Sequence, residues 1–223
     1  TGNVDKAAQI ASDDAKKLVS NIVQLDRGFH VGLRAGLQIA AHLDGLAFDA
    51  CKAEAHALGR AEQRKLYRAA ASSPALTFDD LTPPSKPARA EVIHHGRNTL
   101  PVPGPFRNFE KRMCRPESGG ARAFGYNEGA SRPLLGPGYF VAIPTAGHAG
   151  WEERGPIVVD YFQVPGEPVA DGWPKVVPNT VGLQVFVFNK TRDFLRKVSS
   201  RVTIGAAYKV EKALDHYFIL VRE

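Results

Sequence analysis

The chain has 223 residues, enough for one large domain or two small ones with a sizeable core. Its apolar fraction of 43% and charged fraction of 23% are those of a soluble globular protein, and no run of about 18 apolar residues marks a membrane-crossing helix. The net charge of +6 is unevenly spread: residues 86–132 hold 9 basic against 4 acidic side chains, whereas residues 1–85 balance at 10 and 10.

The first third reads as helical. Apolar residues recur at helical period from Val4 to Leu25, and Asp26 is placed to cap a second helix over Phe29 to Leu58. Gly59 fits a helix end, and a third helix is expected over Arg60 to Ala71. Ser72-Ser73-Pro74 stops it, because proline breaks the hydrogen-bond ladder. Three prolines in Asp80 to Arg89 predict a linker or surface arm. The expected division is therefore a helical segment over 1–72, a proline-rich linker over 73–89 and a β domain over 90–223.

Beyond the linker, Val92-Ile93 begins a short strand. Phe106, Phe109 and Met113 make one apolar helical edge, and Ala123 to Tyr126 is a weak strand. From Gly136 onward, turns alternate with apolar runs: Tyr139 to Ile143, Ile157 to Val164, Leu183 to Phe188, Val202 to Tyr208 and Tyr217 to Val221. A sheet with one wet face alternates apolar and polar residues. These runs are mostly apolar on both faces, so both faces need cover. Thr191 to Ser199 reads differently, as a short helix capped by Thr191 with Asp193 near its positive end.

Helices first and strands last predict an α+β fold, with N-terminal helices packed on a mainly antiparallel sheet. Closing that sheet into a closed or half-open, lipocalin-like β-barrel removes its exposed edges and encloses an apolar interior.

Chemistry-bearing motifs are sparse. His30, His42 and His56 are 12 and 14 residues apart, so no helical turn pairs them, and no metal site is expected. No nucleophile elbow is present, and Gly136-Pro137-Gly138 lacks the Lys-Ser/Thr ending of a phosphate loop, so no cofactor is expected. Cys51 and Cys114 are the only cysteines, and their scarcity predicts free thiols in a reducing compartment. The clearest polar intrusion is Asp160, inside the run Ile157 to Phe162; Arg201, Lys209 or Arg222 are its expected partners.

The leading reading is a non-enzymatic protein that holds an apolar or lipid-like small molecule inside the barrel. Its expected lining is Tyr126, Tyr139, Asp160, Tyr161, Phe186, Arg201 and Tyr208. A second reading is an enzyme using Asp160 with a tyrosine or histidine partner in the same cavity. A third is an interaction protein that docks on an anionic membrane surface or a partner through the basic 86–132 segment, with the N-terminal helices forming a homodimer. Prolines break any continuous basic helix, which argues against nucleic acid. Cytoplasmic location, peripheral to a membrane, is the matching expectation.

Overall fold

The computed structural model describes Asp13, Lys16, Val19 and Ser20, which are helical, and residues 29–223, with side chains from Arg34 onward. The rest of the helix expected over Val4 to Leu25, and its Asp26 successor cap, lie outside the described residues. Three helices follow: α1 (Phe29–Asp44), α2 (Phe48–Ala57) and α3 (Arg60–Ala69). A one-turn helix, α4 (Phe78–Leu81), precedes eight strands: β1 (Val92–Asn98), β2 (Asn108–Cys114), β3 (Ala123–Glu128), β4 (Phe140–Pro144), β5 (Ile157–Asp160), β6 (Thr191–Lys197), β7 (Val202–Lys209) and β8 (Lys212–Arg222). Two further single turns, α5 (Arg132–Leu135) and α6 (Gln184–Val187), lie in the β3–β4 and β5–β6 connections.

The strands pair in chain order, every pair antiparallel, and β1 pairs with β8 to close the barrel. The expected α+β architecture with a closed antiparallel barrel is thus what the chain adopts. Closure satisfies every edge without a partner chain.

Both faces of the sheet are covered. On β7 and β8 the outward set is Val202, Ile204, Ala206, Ile219 and Val221, packed with Ile39, Leu43, Cys51, Leu58 and Leu66 of the helices. Cys114, Phe124 and Val141, outward on β2 to β4, lie instead under the β5–β6 connection through Ala170 and Trp173. That connection is tied down by Asn179, whose amide donates to the carbonyls of Tyr139 (2.7 Å) and Tyr161 (2.8 Å).

The interior is filled by rings placed on glycines. Gly96 faces Phe109, Gly125 faces Phe140 and Gly205 faces Phe218 as direct cross-strand partners. A Cβ at these glycines would stand only 2.6, 2.4 and 2.2 Å from the partner ring, so each ring lies where only glycine leaves room.

Four expectations are corrected. Leu183 to Phe188 contains the α6 turn and is not a strand, because the edge of β5 is taken by Thr191–Lys197. The latter segment is β6 and not a short helix: Asp193 and Leu195 point into the barrel while Phe194 points out, a period of two. Phe106 to Met113 is chiefly strand β2, with Phe109, Lys111 and Met113 sharing the inner face. Finally, the helix expected over Phe29 to Leu58 breaks after Asp44. Gly45 closes the turn through Ala41 and His42 carbonyls, and the Asp44 carboxylate accepts from the Ser200 amide at 3.0 Å.

The segment expected as a linker carries core. Leu76 and Leu81 are buried in the barrel cluster, so residues 76–81 plug one end of the barrel. No helix among the described residues is long and apolar enough to cross a membrane.

Candidate functional site

At the centre of the barrel lies an ion pair. Lys111 Nζ is 3.1 Å from Asp193 Oδ2 and 3.1 Å from Asn127 Oδ1, and it donates to the Tyr161 hydroxyl. The ammonium sits 5.0 Å from the ring centres of Phe140, Tyr161 and Phe218, and 5.7 Å from Phe109. Alternation puts these groups together: Lys111 lies between inward Phe109 and Met113, and Asp193 two residues before inward Leu195.

Burial governs the titration of this cluster. It lowers the Lys111 pKa, although Asp193 opposes the shift. It raises the Asp193 carboxyl against the pull of Lys111, and it raises the Tyr161 phenol well above its usual range. The cluster is deeply buried: Lys111 is 1% exposed, Tyr161 4% and Asp193 5%, while Phe140 and Leu220 are fully buried.

The two barrel ends are closed differently. At the end holding the start of β1, residues 76–81 form the plug. Thr77 donates its amide and hydroxyl to Asp80 at 2.9 Å each, and Asp80 also takes Lys197 Nζ at 2.5 Å. His94, fully buried in the interior, bonds the Leu81 carbonyl at 2.8 Å, and burial pushes its pKa down to about 4. At the opposite end the lid is the α6 segment. Phe188 stacks on Tyr161 (ring centres 5.3 Å apart, 22° between planes), and the buried Gln184 side chain accepts from the Gly138 amide at 3.2 Å.

Exposed apolar side chains gather at that second end. Among the described residues ten large apolar side chains remain exposed, and of these only Leu37, on α1, lies away from it. Phe106 is in the β1–β2 connection and Leu134 in β3–β4; Phe162, Val181, Leu183, Phe186 and Val187 are in β5–β6. Val210 is in the β7–β8 turn, and Leu214 is in the first residues of β8 beside it. Antiparallel order brings these four connections to one end of the barrel. Phe186 is 75% exposed and Leu134 71%, values that mark unpaired surface and not the rim of a core.

Charge at this end is one-sided. Glu211 is held by Arg154 and Arg192, each at 2.6 Å, Glu128 by Arg132 at 2.6 Å, and Asp215 by Arg64. Lys190, Lys209 and Lys212 pair with no carboxylate among the described residues; Lys209 instead donates to the Phe186 carbonyl at 3.1 Å. The carboxylates are neutralised and three lysines are left over.

The residues expected to line one cavity are dispersed. Tyr161 is inside the barrel. Tyr126 and Tyr139 pack together with Trp173 on the outer face, their own ring centres 5.6 Å apart. Tyr208 lies outside against Phe194 and Arg154. Phe186 is on the exposed end, and Arg201 is in the β6–β7 turn at the other end. Asp160 pairs with Arg192 (3.2 Å) and not with Arg201, Lys209 or Arg222; it also accepts from the Phe162 amide and Gln163, which seals it in the turn after β5. Reading Phe106–Met113 as a helix concealed Lys111, and reading 191–199 as a helix concealed Asp193. The period-two sequences Phe-x-Lys-x-Met and Asp-x-Leu were the available signal.

The basic 86–132 segment is largely spoken for. Arg89, Arg112, Arg122 and Arg132 pair with carboxylates, Lys111 is internal, and Arg107 and Arg115 donate to backbone carbonyls. Burial pushes the Cys51 and Cys114 thiols up to about 11, and both cysteines are free. No cluster of three metal-ligating side chains occurs among the described residues. Comparison with family models, curated proteins and solved structures finds no match to this chain.

Proposed function

We propose that this protein is a docking module that binds an anionic lipid surface through its apolar, lysine-rimmed end. The observation that carries this reading is that, among the described residues, nine of ten exposed large apolar side chains lie at that end. Apolar area of this kind favours insertion at the headgroup boundary, and unpaired lysines add attraction to anionic lipid of about 1 kcal/mol each. Neutral carboxylate pairs beside them remove the repulsion that an anionic surface would otherwise meet.

The geometry favours this surface over a ligand in the barrel. A resident lipid-sized guest needs a standing void, and the rings seated on Gly96, Gly125 and Gly205 take up part of that interior. An enzyme built on Asp160 fares less well, because its carboxylate is committed to Arg192 and the turn.

Vesicle co-sedimentation tests the proposal. Binding is expected to phosphatidylserine-containing vesicles at low salt, to weaken as salt screens the lysines, and to be weak on phosphatidylcholine alone. Replacing Lys190, Lys209 and Lys212 together by glutamine lowers affinity about 100-fold, at about 1 kcal/mol each. Absence of binding at low salt overturns the reading, as does a Leu183→Ser, Phe186→Ser variant that binds like the parent.

A further inference from the structure

The interior ion pair plays no part in the docking surface, and its chemistry points elsewhere. We propose that Lys111 is a carbonyl-capturing amine that takes apolar aldehydes admitted past Phe188.

Three features of geometry support this. First, an amine, a carboxyl and a phenol converge within hydrogen-bond reach: Lys111 Nζ is 3.1 Å from Asp193 Oδ2, and the Tyr161 hydroxyl is 3.3 Å from that same oxygen. Second, the surroundings of the amine are aromatic, so a reacting partner meets an apolar wall with a few polar groups at one point. Third, a half-buried ring stands between the cluster and the exposed end. Phe188 stacks on Tyr161 and ends the α6 segment, a single turn flanked by the exposed Leu183, Phe186 and Val187.

A buried ion pair of this kind is costly to keep. Apolar residues of similar volume often serve stability as well or better, so the pair itself is not explained by stability. In a water-poor interior, charge separation loses its solvation, and transfer of one proton from Lys111 to Asp193 yields the neutral amine and neutral acid. Burial shifts both groups in that direction.

The step balances within these groups. The Nζ lone pair adds to the aldehyde carbon, and the carbonyl oxygen is protonated to give a carbinolamine, with Asp193 relaying the proton that nitrogen loses. The Asp193 carboxyl then protonates the hydroxyl, which departs as water as the nitrogen lone pair forms the C=N bond. The products are a protonated imine on Lys111, the Asp193 carboxylate and one water. The iminium faces the carboxylate as the ammonium did, so the charge layout of the interior is retained. Lysine desolvated among apolar groups is the form that reacts this way. Room for the aldehyde chain comes from displacement of Phe188.

Reductive trapping tests the proposal on the intact folded protein, with hexanal and cyanoborohydride near neutral pH and peptide mapping of the adduct. Lys111 is expected to carry the hexyl adduct although Lys190 and Lys212 are far more exposed. Phe188→Ala is expected to speed Lys111 labelling about tenfold, the weight of one aromatic contact, with no change at Lys190. Glyoxylate, an aldehyde that is anionic and polar, is expected to label the exposed lysines and spare Lys111. Saturation of the exposed lysines by hexanal with none on Lys111 in the parent protein overturns the site. Equal labelling of Lys111 by glyoxylate overturns the apolar class. An unchanged rate in Phe188→Ala, checked by near-ultraviolet circular dichroism, overturns the gate. These readings need no vesicles, so failure of lipid docking leaves them standing.

Discussion

The two ends of the barrel solve the same problem in opposite ways. Any barrel exposes the apolar rim of its core at both mouths. At one mouth the chain's own 76–81 segment supplies the cover: Leu76 and Leu81 enter the core, and Asp80 is anchored by Thr77 and Lys197. At the other mouth α6 supplies only Phe188 and Gln184 inward, while Leu183, Phe186 and Val187 face outward without cover. Apolar surface that could be hidden is hidden at the first end and left out at the second. Single exposed apolar residues need no explanation, but a gathering of nine at one end does.

Between the ends sits the largest expected effect. Lys111→Met strands the Asp193 carboxylate in an aromatic interior, and removing one partner of a buried pair costs about 3–5 kcal/mol. A Lys111→Met, Asp193→Leu double variant recovers most of that loss in urea denaturation. A single variant as stable as the parent would mean that water reaches the pair, and would weaken the picture of a sealed interior.

The ends themselves are compared with one substitution. Leu81→Ala at the plugged end removes a fully buried side chain and is expected to cost about 2–5 kcal/mol. Leu183→Ala at the other end, where the side chain is 46% exposed, stays within about 0.5 kcal/mol. Equal losses in thermal melts would erase the distinction.

Acid sharpens the same contrast through His94. Its folded pKa is lowered to about 4 from 6.5 because it is buried beneath the plug. The unfolded state therefore takes up a proton first as pH falls. Stability contributed by the neutral ring is intact above about 6.5, is lost between 6.5 and about 4, and totals on the order of 3 kcal/mol. A His94→Leu variant is expected to show a flatter urea midpoint across that window. Persistence of the full slope would assign it to other groups.

The smallest stability effect belongs to Phe186→Ser, within about 0.5 kcal/mol, because the ring is 75% exposed. Its expected consequence is loss of vesicle binding without loss of the melt. A large drop in melting temperature would make Phe186 part of the fold and not of a docking surface.

Much of the architecture was legible because burial leaves a pattern. Runs such as Tyr139 to Ile143 and Val202 to Tyr208 carry apolar side chains on both faces, and each became a barrel strand with the helices or the 165–173 stretch over it. Local signals failed where two periods fit the same short run. Thr191 and Asp193 suit a helix start as well as a strand, and six residues from Leu183 suit a strand as well as a turn. The sheet edge beside β5 decided between them, since it has room for one neighbour. The interior cluster was hidden for the same reason, because a helix would have placed Lys111 and Asp193 on solvent-facing positions.

By itself, then, the chain determined that helices come first and that strands need cover on both faces, with a closed or half-open barrel as the expectation. Those properties follow from the spacing of apolar residues, which is local. Only the tertiary structure decided which side chains meet across the barrel, that Leu76 and Leu81 plug one end, and that the other end keeps its apolar residues outside. These depend on strand register and on the paths of long connections, where contacts between residues such as Lys111 and Asp193 lie 82 positions apart in sequence.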